Sequence, residues 1–332
     1  CPEYELLFYG ASMLGAIACP LNAAYRDHEL THQINDAGAT VVAVHHTLWP
    51  VVERCRGRLG TVERFLVVGG TDVPGTASYA ACVDTASTAA PTTHVDPRSL
   101  VALPYSSGTT GLPKGVMLSH RNLVCNHLQF STASRLGPDD TFPLYLPLAH
   151  IYGVMLMGVA LTSGCHQLLM ERFDLSTLTS LVHAHRATWL HVVPPVLLAL
   201  ANAPELDASG FASVRYAMNA AAPLAPDVAR RVEARLGLRV IQAYGLTETS
   251  PDTHISPLEP ERIVLESVGV PAPDTEHRVV DVETGTTILA PGELGEIVVR
   301  GPQVMQGYWN APEDTARVLR DGWLHTGDIG WI

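Results

Sequence analysis

The chain has 332 residues, 47% of them apolar and 16% charged, with a formal net charge of −12. That length allows about two or three compact units with a large core, and the acidic balance argues against a protein held to nucleic acid by overall charge. A phosphate ligand is still allowed, because backbone N–H groups can bind one locally. The six cysteines, Cys1, Cys19, Cys55, Cys82, Cys125 and Cys165, form no C-x-x-C pair. They read as reduced thiols of a cytoplasmic protein, not as zinc ligands or a disulfide framework. The longest apolar run, residues 154–161, is too short to span a bilayer.

The chain opens at Cys1, without a Met, inside a helical pattern, so the true N-terminus is expected upstream. Asp27 is expected to N-cap a helix that carries Leu30, Ile34 and Ala37 on one face and stops at Gly38. Residues 41–44 and 65–68 read as buried strands. Residues 85–97, rich in Thr, Ala and Pro, read as a surface connection. Residues 100–103 form a third strand, 116–118 a short one, and Ser119 caps a helix reaching about Ser131. From Pro143 to Gly245 the helix–strand alternation repeats, with helices at 175–185, 196–202 and 226–236 and a strand at 240–243. Beyond about Ile263, short β runs at 277–282 and 296–300 are separated by the turns Thr284-Gly285 and Pro291-Gly292. The expected fold is α/β. Two α/β subdomains with mainly parallel sheets (1–135 and 136–262) precede a small antiparallel β-barrel-like subdomain (263–332).

Three segments carry chemistry. The first is Tyr105-Ser-Ser-Gly-Thr-Thr-Gly-Leu-Pro-Lys-Gly115. Gly108 and Gly111 let the backbone aim its N–H groups at one point. Ser106, Ser107, Thr109 and Thr110 add hydroxyls, and Lys114 adds a full charge. Lys114 is the single lysine among many arginines, which suggests that a compact ammonium is wanted there. The order Lys114-Gly115 is not that of a Walker A loop, in which Ser or Thr follows Gly-Lys. The second segment is Gln242-Ala-Tyr-Gly-Leu-Thr-Glu248. Gly245 permits a tight turn, Tyr244 offers a ring for a base, and Thr247 and Glu248 offer oxygens, the carboxylate suiting Mg²⁺ between phosphates. The third is Gly322-Trp-Leu-His-Thr-Gly-Asp-Ile-Gly330, in which Asp328 either accepts both hydroxyls of a ribose or makes an Asx turn. His28 and His32, His45-His46 and His183/His185 form no metal-ligand pattern.

Taken in order, the three segments resemble the adenylate-forming (ANL) superfamily of acyl- and aryl-CoA synthetases, nonribosomal adenylation domains and beetle luciferases. The resemblance covers essentially the whole chain. It extends through Leu146-Pro-Leu-Ala-His-Ile-Tyr152, Ala220-Ala-Ala-Pro-Leu224, Ser267-Val-Gly-Val-Pro271 and Gly292-Glu-Leu-Gly-Glu-Ile-Val-Val-Arg-Gly301. Within the superfamily it is most similar to the 4-coumarate–CoA ligase and fatty-acyl-CoA ligase branch. The resemblance implies ATP-dependent activation of a carboxylic acid as acyl-AMP, followed by transfer to CoA, with ATP, Mg²⁺ and CoA as cofactors.

Residue by residue, it implies that Thr109, Thr110 and Lys114 hold the β- and γ-phosphates within a loop formed by Ser106, Ser107, Gly108 and Gly111. Glu248 would bind Mg²⁺ and Thr247 the α-phosphate. Tyr244 would stack on adenine, with Gln242, Ala243, Gly245, Ala220 and Ala221 around the nucleotide and Asp328 on the ribose. His150 would stand near the reacting carboxylate; read without the resemblance, it is a core histidine. Tyr152, Met155, Val192, Met218, Asn219 and Ala220 would line the acyl pocket, with Ala220 shortening its floor and Asp252 at its edge. Arg172 would meet CoA; read alone, it is a solvated arginine. Asp174 reads as a helix cap. The family also carries a C-terminal lid with a second lysine, expected beyond Ile332, so this stretch is expected to bind nucleotide but to be slow in complete thioester synthesis. Other readings are an amino-acid adenylation domain, disfavoured because no Asp stands beside His150, a luciferase-like oxygenase, and a non-catalytic nucleotide-binding module.

Overall fold

The computed structural model describes residues 1–70, 73–106 and 113–332. Helices α1 (Pro2–Met13) and α2 (Asp27–Asp36) lead into strand β1 (Val41–His45), helix α3 (Trp49–Cys55), strands β2 (Arg64–Val68) and β3 (Ala77–Ser78), and helix α4 (Tyr79–Thr85). The three strands pair in parallel in sequence order. They cover a core of their own in which Leu30 and Ile34 of α2 meet Val42, Trp49, Phe65 and Val67. Asp27 is not the cap expected of it. Arg26 takes the N-cap position, and Asp27 is the first helical residue, its carboxylate paired with Arg54 at 2.9 Å. Gly38, at φ +63°, ends the helix as its sequence position predicts.

Next come β4 (Leu100–Ala102), β5 (Tyr105–Ser106), β6 (Lys114–Gly115), β7 (Leu118–Ser119) and helix α5 (His120–Ser134). Ser119 caps α5 as expected: its Oγ accepts from the Asn122 N–H at 3.1 Å, and the Asn122 side chain accepts from the Ser119 N–H at 2.9 Å. Strand β8 (Thr141–Leu144), helix α6 (Ile151–Ser163), strand β9 (His166–Leu169) and helix α7 (Leu175–His185) follow. The apolar run at 154–161 falls in α6, which is buried continuously from Ile151 to Ala160. A helix apolar on every side belongs inside a core. It lies so close to α5 that a Cβ at Gly158 would stand 1.9 Å from the His127 ring. Asp174 caps α7, accepting from the Thr177 N–H at 2.7 Å.

Strand β10 (Trp189–Val192), helix α8 (Pro194–Asn202), strand β11 (Tyr216–Asn219), helix α9 (Pro226–Leu236) and strand β12 (Arg239–Gly245) complete the parallel part, ordered β10-β11-β12. The sheet then reverses. Strands β13 (Asp252–Ile255) and β14 (Val270–Pro271) add to it antiparallel. The closing segment holds β15 (Glu276–Val280), β16 (Gly295–Arg300), helix α10 (Pro312–Val318), β17 (Leu319–Arg320) and β18 (Trp323–Gly330). Its strands form the expected antiparallel sheet, in the order β15-β16-β18-β17.

Three polar side chains on one face of α5 tie these layers together. The Asn122 amide donates to the Pro302 and Val304 carbonyls, at 2.7 and 2.9 Å. Asn126 bonds both backbone groups of Asp252, and the Gln129 amide donates to the Pro273 carbonyl at 2.6 Å. These are buried amides with partners, so they add specificity of position without an orphaned polar group. Among the described residues no helix is long and apolar enough to cross a membrane.

Candidate active site

Strands β5 and β6 form a hairpin base in which Ser106 opposes Lys114 and Tyr105 opposes Gly115. Its tip contains Ser107, Gly108, Thr109, Thr110 and Gly111, which lie outside the described residues. The base itself is anchored. The Tyr105 hydroxyl donates to Asp36 at 2.5 Å, and the Trp309 indole donates to the Asp36 carbonyl at 3.0 Å.

From this base the Lys114 ammonium reaches Asp314 of α10 at 2.8 Å and stands 5.4 Å from the centre of the Tyr308 ring. The lysine beside it holds the Asp314 carboxyl below its ordinary pKa. The Tyr308 hydroxyl donates to Glu248 Oε1 at 2.7 Å. Burial and then the Glu248 charge raise the pKa of that hydroxyl, so it remains a proton donor at neutral pH. Glu248 is buried in the turn Thr247–Thr249, while Thr247 is half-buried. The Glu248 carbonyl accepts from the Met305 N–H at 2.9 Å, which ties the turn to the segment bearing Tyr308. Lysine, tyrosine ring and carboxylate thus form one connected set. Tyr308 and Asp314 escaped the sequence reading, because a Gly-Tyr step and a helix-start Asp carry no local signal of chemistry.

Just before this turn, near the end of β12, the Tyr244 hydroxyl donates to Asp328 Oδ2 at 2.6 Å. Gly327, at φ +76°, turns the chain here, and its N–H donates to Glu296 at 2.9 Å. Asp328 is exposed and Tyr244 half-buried, so the face between them is open to a ligand. Gln242 and Ala243 are buried. The Gln242 amide donates to the Leu265 carbonyl at 2.6 Å, a structural bond that holds the strand end in place. Gly245 ends β12 where the chain turns back, as expected. Its φ is not in the left-handed region. Glycine is needed because a Cβ would stand 2.0 Å from the Pro251 carbonyl oxygen of the returning strand. Ala221 does adopt a left-handed conformation, with φ +70°.

The residues assigned to the carboxylate side gather around the start of α6. His150 is exposed and caps that helix, its Nδ1 accepting from the Tyr152 N–H at 3.2 Å, so it is not the core histidine its apolar neighbours suggest. The Tyr152 hydroxyl donates to the Met218 carbonyl at 3.4 Å. Met155, Val192 and Met218 are completely buried, and Asn219 and Ala220 nearly so. Asn219 Oδ1 and both ring nitrogens of His191 have no hydrogen-bond partner among the described residues. Burial pushes the His191 pKa down to about 3, so the ring is neutral. Arg172 is exposed on the bend before α7.

Asp252, placed at the edge of this group by the sequence reading, is fully enclosed. Burial raises its carboxyl from 3.8 to about 8. A group whose folded pKa is raised is most compatible with folding below its unfolded pKa and loses that advantage as pH rises through the folded value. Stability should therefore fall between about pH 4 and pH 8, and Asp252→Asn should remove much of that slope. Thermal melts of both proteins across this window test it; parallel profiles would contradict it.

A family model described as AMP-binding enzyme matches residues 1–309. The chain belongs to the AMP-binding enzyme family. This member is 37% identical to 4-coumarate–CoA ligase 3 of Oryza sativa subsp. japonica, over all of this chain and 61% of that relative. It is 31% identical to the long-chain-fatty-acid–CoA ligase of Bacillus subtilis (strain 168), over all of this chain and 64% of that relative. Among solved structures, ATP-bound MatB from Rhodopseudomonas palustris superposes with a TM-score of 0.90 at 33% identity, over 99% of this chain and 64% of that one. The N-terminal domain of FACL13 from Mycobacterium tuberculosis superposes with a TM-score of 0.88 at 26% identity, over 99% of this chain and 81% of that one. The chain thus spans 61% and 64% of the length of these two curated relatives.

Proposed function

We propose that this chain is the nucleotide-binding core of an AMP-forming acid–thiol ligase. It joins ATP and a carboxylic acid as acyl-AMP, releasing pyrophosphate, and CoA takes the acyl group in a second step. The observation that carries this reading is the connected set of Lys114, Tyr308 and Glu248, with the Tyr244–Asp328 pair just before the Glu248 turn. In the first step a carboxylate oxygen bonds to the α-phosphorus and the bond to the bridging oxygen breaks. Two anions must meet, so the protein's work is positioning and offsetting charge rather than moving protons.

In this reading Lys114 leaves Asp314 for the β- and γ-phosphates, joined by Thr109 and Thr110, while Thr247 meets the α-phosphate. Adenine lies on Tyr244, and Asp328 exchanges the Tyr244 hydroxyl for the ribose. Glu248 fits Mg²⁺ in its donor chemistry. Its Oε1 takes the Tyr308 hydroxyl, and Oε2 is in no hydrogen bond among the described residues, which suits a cation that takes one or two carboxylates with substrate oxygens. When bound, the ion offsets phosphate charge. His150, exposed at the mouth of α6, stands where the carboxylate would enter, and Arg172 is assigned to CoA. The division into 1–135, 136–262 and 263–332 belongs to the same reading, supported by confinement of the four-stranded antiparallel sheet to the last part. So does a cytoplasmic location, supported by the free cysteines.

ATP–pyrophosphate exchange with a panel of carboxylates tests the proposal. ATP binding without exchange for any acid would favour a non-catalytic nucleotide-binding module instead. The same panel tests the pocket floor. Ala220→Gly should shift the preferred acid toward a longer tail, discriminating by ~1–3 kcal/mol per methylene. An unchanged chain-length profile would remove Ala220 from that role.

A further inference from the structure

Asp252 opens strand β13 directly opposite Gly245, so it enters the sheet where the Tyr244–Glu248 turn returns. Its backbone is held without help from its side chain. The N–H donates to Asn126 Oδ1 at 3.1 Å, and the carbonyl accepts from Asn126 Nδ2 at 2.8 Å. The carboxylate takes part in no hydrogen bond or ion pair among the described residues, and Oδ2 is buried without a partner. Ionising a carboxyl in a core with no partner costs several kcal/mol, which is why burial keeps this acid largely protonated at neutral pH, and fully buried acids are rare unless paired. The surrounding groups explain why the cost is not met from within. Asp252 lies close enough to Tyr152 for its charge to add to the rise in that hydroxyl's pKa, and Tyr152 is already engaged with the Met218 carbonyl. His191, 6.2 Å from Tyr152 between ring centres, is neutral and has no partner among the described residues. Tyr152 and Met218 are among the residues assigned to the acyl pocket, so the orphaned carboxylate belongs to the same neighbourhood.

We infer that Asp252 recognises a hydrogen-bond donor on the tail of the acid, selecting carboxylic acids that end in an ammonium or a hydroxyl over purely apolar ones. This rests on the acyl-AMP reading of the site and names the substrate class within it. An ammonium is the better partner of the two, because its charge lets the buried acid give up its proton to solvent and it then donates to the resulting carboxylate. A hydroxyl supplies the donor alone. Methyl-ended tails leave the carboxylate unpartnered, and a site that leaves a buried polar group unpaired rejects such a ligand.

The test is binding, so it does not depend on turnover. Acyl-sulfamoyl-adenosines, stable mimics of acyl-AMP, are made in a graded series of tail lengths, each ending in methyl, hydroxyl or ammonium. They are titrated calorimetrically into the chain and into Asp252→Asn and Asp252→Val. At the best-fitting length the parent chain should bind the ammonium tail most tightly, then the hydroxyl, then the methyl, with roughly tenfold or more between the extremes. Asp252→Asn should keep a hydroxyl preference and lose the ammonium preference, and Asp252→Val should favour methyl. Replacing a buried charge with an apolar group of similar volume is commonly tolerated, and a thermal melt of each variant verifies that it folds. Equal affinity for all three tails at every length, or a preference unaltered in Asp252→Val, overturns the inference while leaving the nucleotide reading intact. That second reading is monitored by unsubstituted 5′-O-sulfamoyladenosine. If even this compound fails to bind, the acyl-AMP reading falls and the inference with it.

Discussion

Replacing Lys114 with alanine should slow acyl-AMP formation by about 100- to 1,000-fold, the usual consequence of deleting one preorganised group that stabilises developing charge. The expectation follows from where the lysine sits. It rises from a strand whose partner is anchored to Asp36, and the Tyr308 ring and Asp314 surround its ammonium. Arginine at this position should restore little, because its planar fork replaces a compact charge that fits between ring and carboxylate. Asp314→Asn separates positioning from competition. The Lys114–Asp314 pair is partly exposed, with 25% and 20% of the two side chains accessible, and pairs of this kind contribute at most about 1 kcal/mol. Releasing the lysine should therefore lower the KM for ATP by up to about fivefold, with kcat little altered. Pyrophosphate-exchange kinetics at varied ATP give both numbers. Wild-type exchange in Lys114→Ala would remove the lysine from the reaction, and a raised KM in Asp314→Asn would make Asp314 a positioning residue rather than a competitor.

Gly245→Ala should damage stability and activity together. The added Cβ would stand 2.0 Å from the Pro251 carbonyl oxygen and 2.9 Å from the Asp252 Cα, both backbone atoms that cannot rotate away. The turn also has little freedom to shift. The Leu246 N–H donates to that same Pro251 carbonyl at 3.1 Å, and Asn126 clamps Asp252. Overpacking of this kind costs about 1–3 kcal/mol, and the displaced elements are those carrying Tyr244, Glu248 and Asp252. Thermal denaturation should show a loss of several degrees, and exchange should fall more steeply than in a surface variant of equal stability. A variant with normal melting and normal exchange would mean that strands β12 and β13 can part freely here.

Much of the layout was legible because local chemistry was sufficient for it. Ser119, Asp174 and Gly38 behave as caps and stops since capping depends on neighbours three or four residues away. Helices α7 and α9 match their apolar patterns to the residue. Asp27 departs from its expected capping role because its carboxylate is recruited by Arg54, distant in sequence, and Arg26 fills the cap instead. His150 was ambiguous because an apolar run says nothing about which end of the buried helix reaches solvent.

The α/β class, the order of the three chemical segments, the antiparallel character of residues 263–332 and a solitary lysine at the base of a Gly/Ser/Thr loop are all legible in the residues alone. Each of these depends on composition or on short-range periodicity. Folding is what brings Lys114 to Asp314 and Tyr308, Tyr308 to Glu248, and Asp252 to its enclosed place beside Tyr152, with no partner among the described residues. Those relations join residues that lie tens to hundreds of positions apart. They exist because α5 fastens β13 and the closing segment through Asn122, Asn126 and Gln129, long-range contacts that no window of sequence contains.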